Sequence, residues 1–155
     1  MYLRELEGKF MQKLKIAIGS DHGGFHLKGK IIEYLQSRNI AFEDFGIYEK
    51  VSSDYPIIAH KVAHSVASGE FDRGILVCGT GLGMSIAANK TKGIRAACVS
   101  DTYSARASRS HNDCNILCLG ERVIGDFLAL DIVDIWLKTQ FEGGRHKRRV
   151  DMIEW

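Results

Sequence analysis

Proline is nearly absent from this chain: Pro56 is the only one among 155 residues. Collagen-like and proline-rich linker architectures are excluded on that count. Long hydrophobic runs are missing too, and nothing approaches the ~20 apolar residues of a membrane-spanning helix. The first fifteen residues mix charges with single apolar side chains, so no secretory leader is expected and the chain reads as cytoplasmic. No charge of one sign dominates, since 21 Lys and Arg stand against 19 Asp and Glu. A nucleic-acid surface built on bulk charge is therefore not expected. The four cysteines, Cys78, Cys98, Cys114 and Cys118, form no CxxC pair and no Cys/His spacing of a zinc site. That pattern suits a reducing compartment and implies no bound metal. No G-x-G-x-x-G follows the first strand-like run and no Walker lysine motif is present, so no nucleotide cofactor is expected.

Glycine, by contrast, is plentiful, and three glycines alternate at Gly79, Gly81 and Gly83. The apolar run from Gly74 to Val77 ends in Cys78, the glycines follow, and a helix-like stretch runs from Ser85 to Asn89. This reads as strand, tight loop, helix. Glycine lets backbone N–H groups turn toward a ligand with no Cβ in the way, and a helix start adds partial positive charge. The loop is expected to hold an anion, with a thiol beside it. Burial as an inert thiol is the commoner fate of cysteine, and it is expected for Cys98 and Cys118, which lie inside strand-like runs. The place of Cys78, at a strand end against an anion loop, favours chemistry instead.

Strand-like and helix-like segments alternate throughout. Strands are expected at Leu14–Ile18, Ile40–Phe45, Gly74–Cys78, Ile94–Val99 and Ile116–Leu119. Helical spacing places Leu27, Ile31, Ile32 and Leu35 together, Ala59, Val62, Ala63 and Val66 together, and Leu128, Ile132, Ile135 and Trp136 together. A polar helix is expected from Thr102 to Ser110. Pro56 stands near a helix start, where proline is tolerated. Five β–α units in this length imply a doubly wound, Rossmann-like α/β fold, with a five-stranded parallel sheet and helices on both faces. Residues 13–155 are read as one domain, and residues 1–12 as an N-terminal appendage.

In such sheets ligands bind beyond the carboxyl ends of the strands. Asp21-His22-Gly23-Gly24 follows the first strand, Cys78 the third, Asp101 the fourth and Arg122 the fifth, with His111-Asn112 at the end of the helix after the fourth. Most of these are expected to converge on one edge. Asn112 also reads as a left-handed helix stop, and Asp21 as a helix cap. Arg145 and Arg149 are four apart and on a helix project together, which suits a phosphate clamp aimed by Gly143-Gly144. The alternative for these arginines is a solvated basic tail. A cysteine-dependent phosphatase would need arginine six residues after its cysteine, where this chain has Met84, so that reading is disfavoured.

Six segments together resemble the ribose-5-phosphate isomerase B family, which also includes galactose- and allose-6-phosphate isomerases. They are Ser20 to Gly24, Cys78 to Lys90, Gly93 to Ala96, Ser110 to Asp113, Gly120 to Val123 and Glu142 to His146. The resemblance runs from about Lys15 into the C-terminal region. It implies an aldose–ketose isomerase without cofactor, acting on ribose 5-phosphate, with a hexose 6-phosphate as the runner-up. A binding module without catalysis is the weaker alternative, since it needs neither Cys78 nor His111. By resemblance, Cys78 is the base that moves a proton between C1 and C2, and His111 is the acid that opens the furanose. One branch of the family places a glutamate where this chain has Met84, so the cysteine branch is implied. Gly79, Gly81, Leu82 and Gly83 would stabilise the enediolate through backbone N–H groups, with the hydroxyl of Thr80. Asp21 and Asn112 would contact sugar hydroxyls, and His22, Arg122, Arg145 and Arg149 would hold the phosphate. The resemblance further implies a homodimer, or a dimer of dimers, with the site at the subunit interface.

Overall fold

A computed structural model describes residues 2–154. Five strands, β1 (Lys15–Ser20), β2 (Ala41–Asp44), β3 (Arg73–Cys78), β4 (Ala96–Cys98) and β5 (Ile116–Gly120), form one sheet. Its order is β2-β1-β3-β5-β4, and every pairing is parallel. The connections are α2 (Phe25–Ser37), α3 (Tyr55–Ala67), α4 (Leu82–Ala88) and α5 (Thr102–Ser110); α6 (Asp126–Lys138) follows β5. Two further helices, α1 (Tyr2–Met11) and α7 (Arg145–Asp151), lie at the ends of the chain. The doubly wound α/β architecture is the one the alternating pattern implies. Pro56 falls in the first turn of α3, where its missing N–H costs no helical bond.

Alternation along β3 divides the core between the two faces of the sheet. Ile75 and Val77 pack with Leu27, Ile31 and Leu35 of α2 and with Ile132, Val133 and Trp136 of α6. Leu76 and Cys78 point the other way, toward Ile58 and Val62 of α3 and Met84 and Ala88 of α4. Each such side chain contributes about 1.5–3 kcal/mol when fully buried. Cys78 is thus anchored from behind by an apolar layer while its sulfur sits at the strand's open end.

The C-terminus of α6 is closed by buried arginines. Arg73 donates to the carbonyls of Trp136 at 2.9 Å and Leu137 at 3.1 Å, and its guanidinium lies 5.3 Å from the Trp136 ring. Burial, then the neighbouring Arg109, pushes Arg73 down to about 9. The segment set apart as an appendage forms α1, and its end reaches this place. Phe10 lies 5.7 Å from the Arg73 guanidinium, and Met11 is buried within the α2–α6 core.

Candidate active site

The strand order reverses direction between β1 and β3, and the crevice beyond their carboxyl ends is where such sheets bind ligands. Asp21 and His22 leave β1 there. Asp21 caps the 3-10 turn His22–Gly24, accepting the Gly23 N–H at 2.9 Å. His22 accepts the Ser53 N–H on Nδ1 at 3.2 Å, so its Nε2 carries the proton when the ring is neutral. A Cβ on Gly24 would stand 2.4 Å from the Val77 carbonyl carbon, so glycine is what allows this turn to lie against β3.

Cys78 opens the glycine loop. The Gly81 N–H points at its Sγ, 3.1 Å away, and a donor aimed at sulfur stabilises negative charge there. Gly81 sits at φ +79°, a conformation costly for any residue with a Cβ. The Thr80 hydroxyl accepts from the Leu82 N–H at 3.3 Å. Among the described residues the N–H groups of Thr80 and Gly83 have no acceptor, leaving them free for a ligand's oxyanion. Arg122, just beyond β5, donates its backbone N–H to Gly79 at 3.0 Å, and its guanidinium lies over Gly79, 3.4 Å from the Cβ position. Asp21, His22, Cys78, Thr80, Arg122 and the loop glycines therefore share one edge.

His111, Asn112, Arg145 and Arg149 do not. A helix following a parallel strand runs back along the sheet, so α5 carries the chain from Asp101 at the carboxyl edge to His111 at the amino edge. The Arg95 guanidinium, at the start of β4, donates to the Asn112 and Asp113 carbonyls at 3.1 Å and fixes them there. Most of the strand-end residues thus converge as expected, and His111 and Asn112 are the exception, because α5 carries them away from the carboxyl edge. The left-handed helix stop is likewise Asp113, at φ +46°, and not Asn112.

The amino-edge residues build a second cavity of about 410 Å³, lined by His111, Asn112, His146, Arg149, Val150 and Ile153. Gly143 and Gly144, at φ +68° and +56°, turn the chain into α7, and the Glu142 N–H bonds the Ser110 carbonyl at 3.1 Å. This places the His146 ring flat on that of His111, with centroids 4.4 Å apart and planes within 10°. No local pattern gives His146 a role, since it stands only at the end of the Glu142–His146 segment. Nor does one give Tyr55 a role. Its ring carbons come within 2.8 Å of a Cβ position on Gly83, a contact no local pattern signals.

His111, Glu142 and His146 bring three metal-ligating atoms within 4.8 Å of one another. An ion must lie in the plane of each imidazole that binds it, and two parallel stacked planes hold no common point. As arranged, the rings do not fit one shared ion. The thiols differ sharply in setting. Burial pushes Cys114 up to about 11 and Cys118 well above the usual thiol range. Cys98, expected to be buried, is exposed and leans on the loop, its Sγ 3.5 Å from the Thr80 carbonyl. The three-residue strand β4 is an edge strand, so it lacks cover on its outer side.

The parallel α/β sheet gathers a thiol and unpaired loop N–H groups at its switch point, where such sheets bind small ligands. The known relatives narrow that reading. Residues 16–153 match the family model described as Ribose/Galactose Isomerase. Ribose-5-phosphate isomerase B of Escherichia coli is 54% identical over 139 residues, covering 90% of this chain and 93% of that protein. The structure of the Clostridium thermocellum ribose-5-phosphate isomerase B superposes with a TM-score of 0.90 at 60% identity, covering 91% of this chain and 95% of the other. A D-erythrulose-4-phosphate isomerase of Pectobacterium atrosepticum is 44% identical over 142 residues, covering 90% and 93%. The chain belongs to the ribose/galactose isomerase family, in its ribose-5-phosphate isomerase B group, and is an aldose–ketose isomerase of sugar phosphates.

Proposed function

We propose that this enzyme interconverts ribose 5-phosphate and ribulose 5-phosphate through an enediolate. The Cys78 thiolate takes the proton from C2 of the open-chain aldose, electrons move onto O1, and the loop N–H groups hold the developing oxyanion. The hydroxyl proton passes from O2 to O1, C2 becomes the carbonyl, and the proton taken from C2, or one exchanged with solvent, returns to C1. Before that, His111 gives a proton to the ring oxygen as the C1–O bond of the furanose breaks, and the C1 hydroxyl releases its proton to solvent to leave the aldehyde. Asp21 and Asn112 hold hydroxyls; His22, Arg122, Arg145 and Arg149 hold the phosphate. The observation that carries the base assignment is the Gly81 N–H donating to Sγ at 3.1 Å.

Because the two groups of residues lie at opposite edges, a complete site takes its loop from one copy and its His111–Arg149 cavity from another. Two exposed apolar patches support this. Leu82 and Ile86, on one face of α4, are 57% and 62% exposed beside the loop, and Met152 and Ile153, 71% and 54% exposed, border the second cavity. Two-fold pairing covers both at once.

Substrate choice is the point on which the relatives differ, since the Pectobacterium protein is named for a four-carbon sugar. Coupled assays of the purified protein on ribose 5-phosphate, erythrulose 4-phosphate, and allose and galactose 6-phosphates are the test. The highest kcat/KM is expected on ribose 5-phosphate. Preference for a hexose or tetrose phosphate by tenfold or more would replace the assignment.

A further inference from the structure

We infer that His146 is a positioning residue for ring opening: its imidazole is the platform that holds the His111 ring in the plane from which it protonates the sugar. The inference rests on the proposed role of His111 and goes beyond it. An imidazole works as an acid only along its N–H direction, and the terminal torsion of histidine is broad unless packing restrains it. His111 is only half-buried, and the parallel ring of His146 is the flat surface it rests on.

Three features fit His146 to that task. It is 92% buried by its relative exposure of 8%, so it does not swing away with solvent. Its backbone N–H bonds the Gly143 carbonyl at 3.1 Å, and Glu142 is tied to Ser110 at the end of α5, so platform and acid sit on one braced unit. Its Nε2 has no hydrogen-bond partner, and the nearest carboxylate oxygen, on Glu142, stands 3.5 Å off. Burial, then the neighbouring His111 and Arg145, holds the His146 imidazole below the usual histidine range.

The experiment compares two reactions. Ribose 5-phosphate is a furanose and needs opening. Ribulose 5-phosphate is acyclic, because its 5-oxygen is esterified, so exchange of its C1 hydrogen with D₂O reports proton transfer alone. His146→Ala is expected to lower kcat on ribose 5-phosphate by roughly 10- to 100-fold, as expected when a reacting group is misplaced by about 1 Å. C1 exchange in ribulose 5-phosphate and KM for both sugars should stay near wild type. His146→Phe, which keeps a flat ring, should restore most of the loss. Equal losses in both reactions, no loss, or no rescue by phenylalanine would overturn the inference. His111→Asn is run beside them. If it separates the two reactions and His146→Ala does not, the platform alone falls. If His111→Asn does not separate them, the ring-opening role falls and the platform with it.

Discussion

The division of the site between two copies can be tested by complementation. One variant carries Cys78→Ser and loses the base. The other carries Arg145→Gln and Arg149→Gln and loses the clamp. Helix α5 has nine residues, which at 1.5 Å each separate its ends by about 14 Å. The chain therefore enters the helix beside the loop and leaves it at the other edge, which on the proposed reading puts one copy's clamp out of reach of its own thiol. A serine base should cost about 10²–10⁴ in rate. Each charge-assisted hydrogen bond to phosphate contributes roughly 1.5–3 kcal/mol, so losing two lowers kcat/KM by at least about a hundredfold. In a hybrid dimer the two lesions meet in one site and leave the other whole, so a hybrid should show about half the wild-type kcat/KM. Differently tagged chains, co-expressed and purified through both tags, supply the hybrid, and native mass spectrometry verifies it. If loop and clamp served one site within each chain, every site in the hybrid would carry a lesion. A verified hybrid no more active than the mean of its parents would refute the shared site.

Cys78→Ser on its own should fold with an unchanged circular dichroism spectrum while kcat falls by about 10²–10⁴; turnover near wild type would remove the thiol from the chemistry. Exhaustive dialysis against EDTA should leave activity intact, whereas loss on dialysis with recovery on adding a divalent ion would show that the enzyme needs metal. Arg73→Met should lower stability by about 1–3 kcal/mol, because the Trp136 and Leu137 carbonyls lose a buried cationic donor. Urea unfolding measures it.

The strands and the helices between them were legible because each carries its own period, and the observed bounds of α5 coincide with the expected Thr102–Ser110. The carboxyl-edge residues were legible for the same reason, since Asp21 and Cys78 directly follow strand-like runs. His111 and Arg149 were visible as chemistry but not as place. Their location depends on which way α5 runs and on two left-handed glycines that turn the chain into α7. His146 and Tyr55 were invisible because each acts through a contact distant in sequence, a ring on His111 and a ring on Gly83. The exposure of Cys98 follows from β4 being an edge strand, which its apolar sequence does not reveal.

The close backbone approach at Gly24 recurs on the other side of the loop. A Cβ on Gly120 would lie 2.6 Å from the Thr80 carbonyl carbon, so glycine main chain lies directly against the end of β3 on one side and against the loop on the other. Most catalytic surroundings can drift, one side chain shrinking as its neighbour grows. Here the nearest atoms are main chain, which no substitution can trade away. Alanine at either glycine should be lethal to function in a saturation library, and second-site suppressors should be scarce, because no neighbouring substitution can thin a peptide bond. The sugar-facing residues can vary around this seam and change what the enzyme accepts, while the seam itself leaves evolution nothing to adjust.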